Sequence, residues 1–150
     1  MKYLVMDCAG DDMETIAPRI VNADSESDAI RRYQVDHLAH TPMIHEFVED
    51  STEACGFAYA FWPRWAEEAG MMEDPARRAE AEREQEEGVL RFFGDRRDYA
   101  DLYLTHLKAR RNDASVSLDA PPEFYAYIVM NFEDYADLVA VPVSEIEITA

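Results

Sequence analysis

The sequence predicts an α+β fold: an antiparallel or mixed sheet of four to five strands from both termini, with a helical middle packed on one face. Three observations lead there. Residues 1–22 hold short apolar runs separated by turn residues. Residues 25–111 carry helix caps followed by apolar residues at helical spacing. Beyond residue 113, runs rich in Val, Ile, Tyr and Phe return, bounded by Pro and Asp. The 150 residues suit a single domain, 1–150, and a hydrophobic fraction of 48% leaves a full core despite 31% charged residues.

Tyr3, Leu4, Val5 and Met6 form the first predicted strand, with a turn at Gly10-Asp11-Asp12. Residues 16–22 form a second, with Pro18 at its start or on an edge. Ser25 then caps a helix, and Asp28 stands in the capping-box position three residues on. Ala29, Ile30, Tyr33 and Leu38 supply its inward face. Thr41-Pro42 pairs a cap with a proline at the first helical position and opens a short helix carrying Ile44, Phe47 and Val48. Ser51 caps a further helix to about Trp62, where Pro63 interrupts; Gly56 leaves GFAYAFW open to being a buried strand instead.

Asp74-Pro75 starts a helix that runs through Phe93. Its first half is Ala, Glu and Arg, with Glu73 and Arg77, Arg78 and Glu82, and Glu87 and Arg91 at i,i+4 spacing. Each such pair is worth about 0.2–0.5 kcal/mol, which describes a solvated helix projecting from the body. Gly94 ends it. Asp95 with Asp98 caps another helix to about Arg111, where Tyr99, Leu102, Tyr103 and Leu107 repeat on one face and Lys108, Arg110 and Arg111 suit the negative end. SVSL is then a brief strand, Pro121-Pro122 a turn, FYAYIVMNF a strand apolar on both faces, and VAVPV and EIEI the final strands. A strand apolar on both faces is covered twice. Helices cover one side, and the other falls to a loop or to a second copy, so a homodimer is one of two readings.

Few constellations carry chemistry. His37, His40 and His45, with Asp36 and Glu46 beside them, are metal-ligand types, but Thr41-Pro42 breaks the helix between them and the spacing fits no zinc motif. They are read as exposed helix-end and loop histidines, with no metal site. Cys8 and Cys55 are read as reduced core residues. GxSxG, GxGxxG and P-loop patterns are absent, and five glycines leave little for a phosphate-cradling loop. No catalytic residue and no cofactor is assigned, and an enzyme with a dispersed site ranks third among the readings. The aromatic run Phe57, Tyr59, Phe61, Trp62, Trp65 is read as core, against the alternative of an exposed patch that anchors a partner. The start of the chain lacks the basic and long apolar regions of a signal peptide, and no window approaches the about 18–20 apolar residues of a membrane span. The expected location is the cytoplasm.

Charge is the strongest clue. Thirty-two Asp and Glu against fourteen Lys and Arg give −18, split as −8 over 1–60, −2 over 61–112 and −8 over 113–150. Such a chain repels nucleic acid and anionic membranes and attracts basic protein surfaces. Lys2 and Lys108 are the two lysines, against twelve arginines, a bias that fits either salt adaptation or a GC-rich genome. In being small, acidic and free of motifs, the chain resembles inhibitors made by phages and other mobile elements, among them DNA mimics and anti-CRISPR proteins. The likeness lies in composition, so it transfers no residue roles.

The leading expectation is therefore a non-enzymatic acidic binding protein that blocks a basic nucleic-acid-binding surface of a protein or complex. It would make no direct contact with nucleic acid or membrane. Side chains at i, i+3 and i+4 on a helix stand about 5–6 Å apart, close enough to imitate a phosphate row. Two such rows are predicted, Glu46, Glu49, Asp50 and Glu53 if 43–55 is helical, and Asp95, Asp98 and Asp101. The alternative is a small cytoplasmic regulatory or metabolic domain whose acidity is incidental or salt-adaptive.

Overall fold

The computed structural model describes residues 1–7, 17–49, 56–68, 70, 73–132 and 137–146. Its elements are β1 (Lys2–Asp7), β2 (Arg19–Asn22), α1 (Glu26–Asp36), α2 (Pro42–Glu49), α3 (Pro75–Phe93), α4 (Arg97–Asn112), α5 (Pro122–Asn131) and β3 (Leu138–Pro142). Short 3-10 turns lie at Leu38–His40, Ala58–Phe61, Arg64–Glu67 and Val143–Glu145. The chain divides into two units, Met1–Ile44 with Pro121–Ala150, and His45–Ala120.

In the first unit β1 is the central strand of a three-stranded antiparallel sheet ordered β2-β1-β3. Tyr3 faces Val21 and Pro142, and Leu4 faces Ile20 and Val141. Side chains alternate along a strand, so Tyr3 and Val5 share one face; both are buried, and α1 packs on the sheet through a side that buries Ala29 and Tyr33. The Tyr33 hydroxyl donates to the Ala17 carbonyl at 2.6 Å. The predicted cap of α1 is present: Asp28 N–H donates to Ser25 Oγ at 3.1 Å. Asp28 also accepts from Asp24 N–H at 3.2 Å and from Arg31 and Arg32 at 3.1 and 2.9 Å. The Asp24 bond, then the Arg32 bond, hold its carboxyl below the usual carboxylate range.

The expected sheet of four to five strands is not seen. The fold is mainly helical, and the described sheet has three strands. The largest departure is FYAYIVMNF, which lies in helix α5 instead of a strand. Its composition favours strands, but Pro122 occupies the first helical turn, Glu123 adds an acid there, and five of ten side chains (Phe124, Tyr125, Ala126, Ile128 and Val129) are buried. A helix enclosed on most of its circumference needs no apolar stripe. The two-sided strand that suggested a second copy is therefore gone. SVSL forms no strand either: Asp113 Oδ1 accepts from Ser115 N–H and Oγ at 3.0 and 2.6 Å, and the Val116 carbonyl accepts from Arg110 Nη1 at 3.1 Å. Local side chains thus take up the bonds a ladder would have made. Of EIEI, Glu145 belongs to a 3-10 turn, and 147–150 lie outside the described residues.

The second unit is built on α3 and α4. Asp74 Oδ1 accepts from Ala76 N–H at 3.0 Å to start α3, and Gly94, at φ 54°, ends it. The first turn is exposed, but from Ala81 onward one side buries Gln85, Gly88, Val89 and Phe93, so α3 packs instead of projecting. Arg78 pairs with Glu82 as predicted, at 3.3 Å, whereas Arg77 reaches Glu80 and Glu87 reaches Arg83. GFAYAFW supplies the centre of this core. Phe57 is fully buried, with the rings of Phe61, Phe92 and Tyr103 at 5.2, 5.1 and 5.1 Å. Gly88 permits the approach, since a Cβ there would sit 2.9 Å from Phe61 Cβ. The last carbonyls of α2 meet α4: the Tyr103 hydroxyl donates to Val48 O at 3.1 Å, and His106 Nε2 lies 3.4 Å from Glu49 O. Among the described residues no helix is long and apolar enough to cross a membrane.

Candidate functional site

The predicted acidic rows fall only in part within the described residues. Helix α2 ends at Glu49, and Asp50 and Glu53 lie outside the described residues. Glu46 is exposed and Glu49 half-buried. On the other row Asp95 and Asp101 are exposed. Asp98 does not cap α4, whose N-cap is Arg96 without a side-chain bond. Instead it accepts from the guanidinium of Arg96, Nε at 3.2 Å and Nη2 at 3.0 Å, while Arg96 stacks 3.9 Å from the Tyr99 ring centre. That bond holds the Asp98 carboxyl below its usual range and interrupts the row with a cation.

Folding gathers charge in another way. Strands from the first and last parts of the chain pair in one sheet, so the unit formed by 1–44 and 121–150 carries fourteen acidic residues and four basic ones, a net −10. Asp28 takes both Arg31 and Arg32. Asp24, Glu26, Asp36, Glu123, Asp137 and Glu145 are exposed. The 45–120 unit carries eighteen acids but ten bases, and several of them are ion-paired along α3.

Among the described residues no group of three His, Cys, Asp or Glu side chains is placed to hold a metal ion. His37 packs edge-on against Tyr33 with ring centres 5.0 Å apart, and burial lowers its pKa. Cys8 and Cys55 lie outside the described residues.

The aromatic run divides between two roles. Phe57 is core, as expected. Trp65 donates from Nε1 to Glu84 at 3.1 Å. Tyr59 and Trp62, both half-buried, line a half-open cleft of about 620 Å³ within the 45–120 unit, together with Leu107 and the arginines Arg78, Arg110 and Arg111. Gln85, only 3% exposed, braces the cleft: its Nε2 donates to Ala58 O at 2.9 Å, and its Oε1 accepts from Arg111 Nη2 at 2.9 Å. Arg111 Nη1 meets Glu86 at 2.8 Å and Glu82 at 3.7 Å. Sequence reasoning missed this cleft. It assigned Arg110 and Arg111 to the end of a helix, and Gln85 is an unmarked residue in an Ala-Glu-Arg stretch. The available signal was the near-neutral middle of a strongly acidic chain, where most of its arginines collect.

Compared with models of protein families, with curated proteins and with solved structures, the chain finds no match.

Proposed function

We propose that the chain is a non-enzymatic acidic binding protein that docks on a basic nucleic-acid-binding surface of a protein or complex and blocks it, as inhibitors of phages and mobile elements do. The proposal places it in the cytoplasm. One observation carries the reading: the pairing of β1 with β3 concentrates both acidic ends of the sequence in a unit with fourteen carboxylates and four bases. Self-repulsion among those carboxylates is relieved when a basic surface covers them. Of the seven side chains expected at the contact, Glu46, Asp95 and Asp101 are exposed, and all three belong to the 45–120 unit. Capture of partners from nuclease-treated lysate of the source cell tests the proposal. The expected partner is a basic nucleic-acid-binding protein, released by salt and displaced by duplex DNA. A partner that duplex DNA fails to displace, or no partner at all, contradicts it.

A second reading, a small regulatory or metabolic domain with salt-adaptive acidity, is favoured by a different observation, the cleft beside Trp62.

A further inference from the structure

The cleft of the 45–120 unit has the size of a small-molecule site, about 300–1,000 Å³ being usual. Its lining is unusual for a chain of net charge −18: three arginines and two glutamates line it together with two aromatic residues. Two of the three arginines are already matched. Arg78 pairs with Glu82 at 3.3 Å, and Arg111 pairs with Glu86 at 2.8 Å.

Arg110 is different. Its Nη1 donates to a neutral carbonyl, Val116 O, and its Nε is buried without a hydrogen-bond partner among the described residues. The nearest acid in sequence, Asp113, is engaged through Oδ1 with both donors of Ser115. Among the described residues no carboxylate forms an ion pair with this partly buried guanidinium, which is an electrostatic cost in the free protein. A ligand anion that reaches Arg110 offsets that cost through a charge-assisted hydrogen bond.

We propose that this cleft binds a planar organic monocarboxylate, whose ring packs against Tyr59 and Trp62 and whose carboxylate is held by Arg110. The aromatic lining selects a flat apolar body. One arginine without an ion pair among the described residues, felt by Asp113 only through a longer-range interaction, selects a single negative charge, and Glu67 and Glu82 on the same cleft disfavour a dianion. The bonds from Arg111 to Gln85 and from Gln85 to Ala58 fix the lining before the ligand arrives, which lowers the ordering cost of binding. This site is independent of the acidic docking surface.

Isothermal titration of the intact chain with 1-naphthoate tests the proposal, with 1-naphthamide as the neutral counterpart and 1-naphthyl phosphate as the dianion. Naphthoate is expected to bind with a Kd of about 1 mM or tighter, and the amide at least about tenfold more weakly. The phosphate is expected to bind no more tightly than naphthoate. Arg110→Gln should weaken naphthoate about tenfold without altering the amide, and Arg110→Lys should restore part of the loss. Trp62→Leu should weaken naphthoate and amide alike. Arg91→Gln, on α3 but outside the cleft lining, should change neither. Melting curves report whether each variant folds. If Arg110→Gln does not, the comparison of naphthoate with amide on the unaltered chain decides. Equal affinity for the two, no binding of either up to about 10 mM, or a folded Arg110→Gln that binds naphthoate as the parent does overturns the proposal.

Discussion

Val5 of β1 and Ala140 of β3 are cross-strand partners in an antiparallel pair. This pairing joins the first described strand to the last described one, and with it the two segments that each carry −8 in the sequence. Charge that is divided along the chain becomes concentrated in the folded unit of 1–44 and 121–150, at −10 overall. The electrostatic reading of function follows from this relationship, and its consequences for stability are measurable.

Salt should stabilise the protein at neutral pH. Repulsion among the carboxylates of that unit acts over distances comparable to the Debye length, about 10 Å at 0.1 M. Raising sodium chloride from about 0.01 to 0.5 M should therefore raise Tm, even though the surface ion pairs of α3 weaken. Thermal melts across the series check this, and a falling Tm would show that the ion pairs dominate.

Ser25 accounts for the start of α1. Its hydroxyl accepts from Asp28 N–H, so Ser25→Ala should cost about 1 kcal/mol, while Ser25→Asp should restore most of the loss. Denaturant titration of the three proteins gives the values.

Gly88→Ala sets two effects against each other. Alanine favours a helix over glycine by about 1 kcal/mol, but the new methyl would sit 2.9 Å from Phe61 Cβ. That atom is anchored close to the backbone and yields little, and overpacking costs about 1–3 kcal/mol. The variant should therefore be less stable than the parent despite its better helix propensity. A higher Tm would mean that Phe61 shifts freely.

His106 should make the 45–120 unit sensitive to mild acid. It is 5% exposed and its Nδ1 has no hydrogen-bond partner among the described residues. Burial lowers its pKa below the ordinary 6.5; Arg110 adds to the shift and the Glu49 carbonyl opposes it. The unfolded chain therefore binds the proton first. The stabilisation is complete above pH 6.5 and is lost as pH falls below that value towards the folded pKa. Stability measured from pH 7.5 to 5 should decline more steeply for the parent than for His106→Gln. Identical slopes would remove His106 from the account.

Much of the helical scaffold was legible because its signals are local. Ser25, Thr41-Pro42, Asp74-Pro75 and Gly94 mark helix ends through their own hydrogen bonds or backbone preferences, and the structure places helix boundaries at each. The sheet was misjudged where composition and position disagreed. Tyr125, Tyr127, Ile128 and Val129 favour strands in general, but tertiary burial on most sides makes their segment a helix, and Pro122-Glu123 was the local sign of it. The acidic rows were legible as composition only, since nothing in the spacing of Asp95, Asp98 and Asp101 announces that Arg96 folds back on Asp98. The cleft was legible only as a near-neutral, arginine-rich middle; its shape was not, since Gln85 braces it by reaching Ala58, a contact between residues 27 positions apart.

The central claim is that exposed carboxylates of the 1–44 and 121–150 unit bind a basic surface. The most direct measurement is affinity capture from nuclease-treated source lysate, run in parallel with the parent chain and with a Glu26→Gln, Asp36→Asn, Glu123→Gln, Asp137→Asn variant that melts no lower than the parent. All four side chains are exposed. The account predicts that the parent retains a basic nucleic-acid-binding protein, that rising salt or added duplex DNA releases it, and that the variant loses it at about tenfold lower ionic strength. Equal retention by both proteins, indifferent to salt and to DNA, would contradict it.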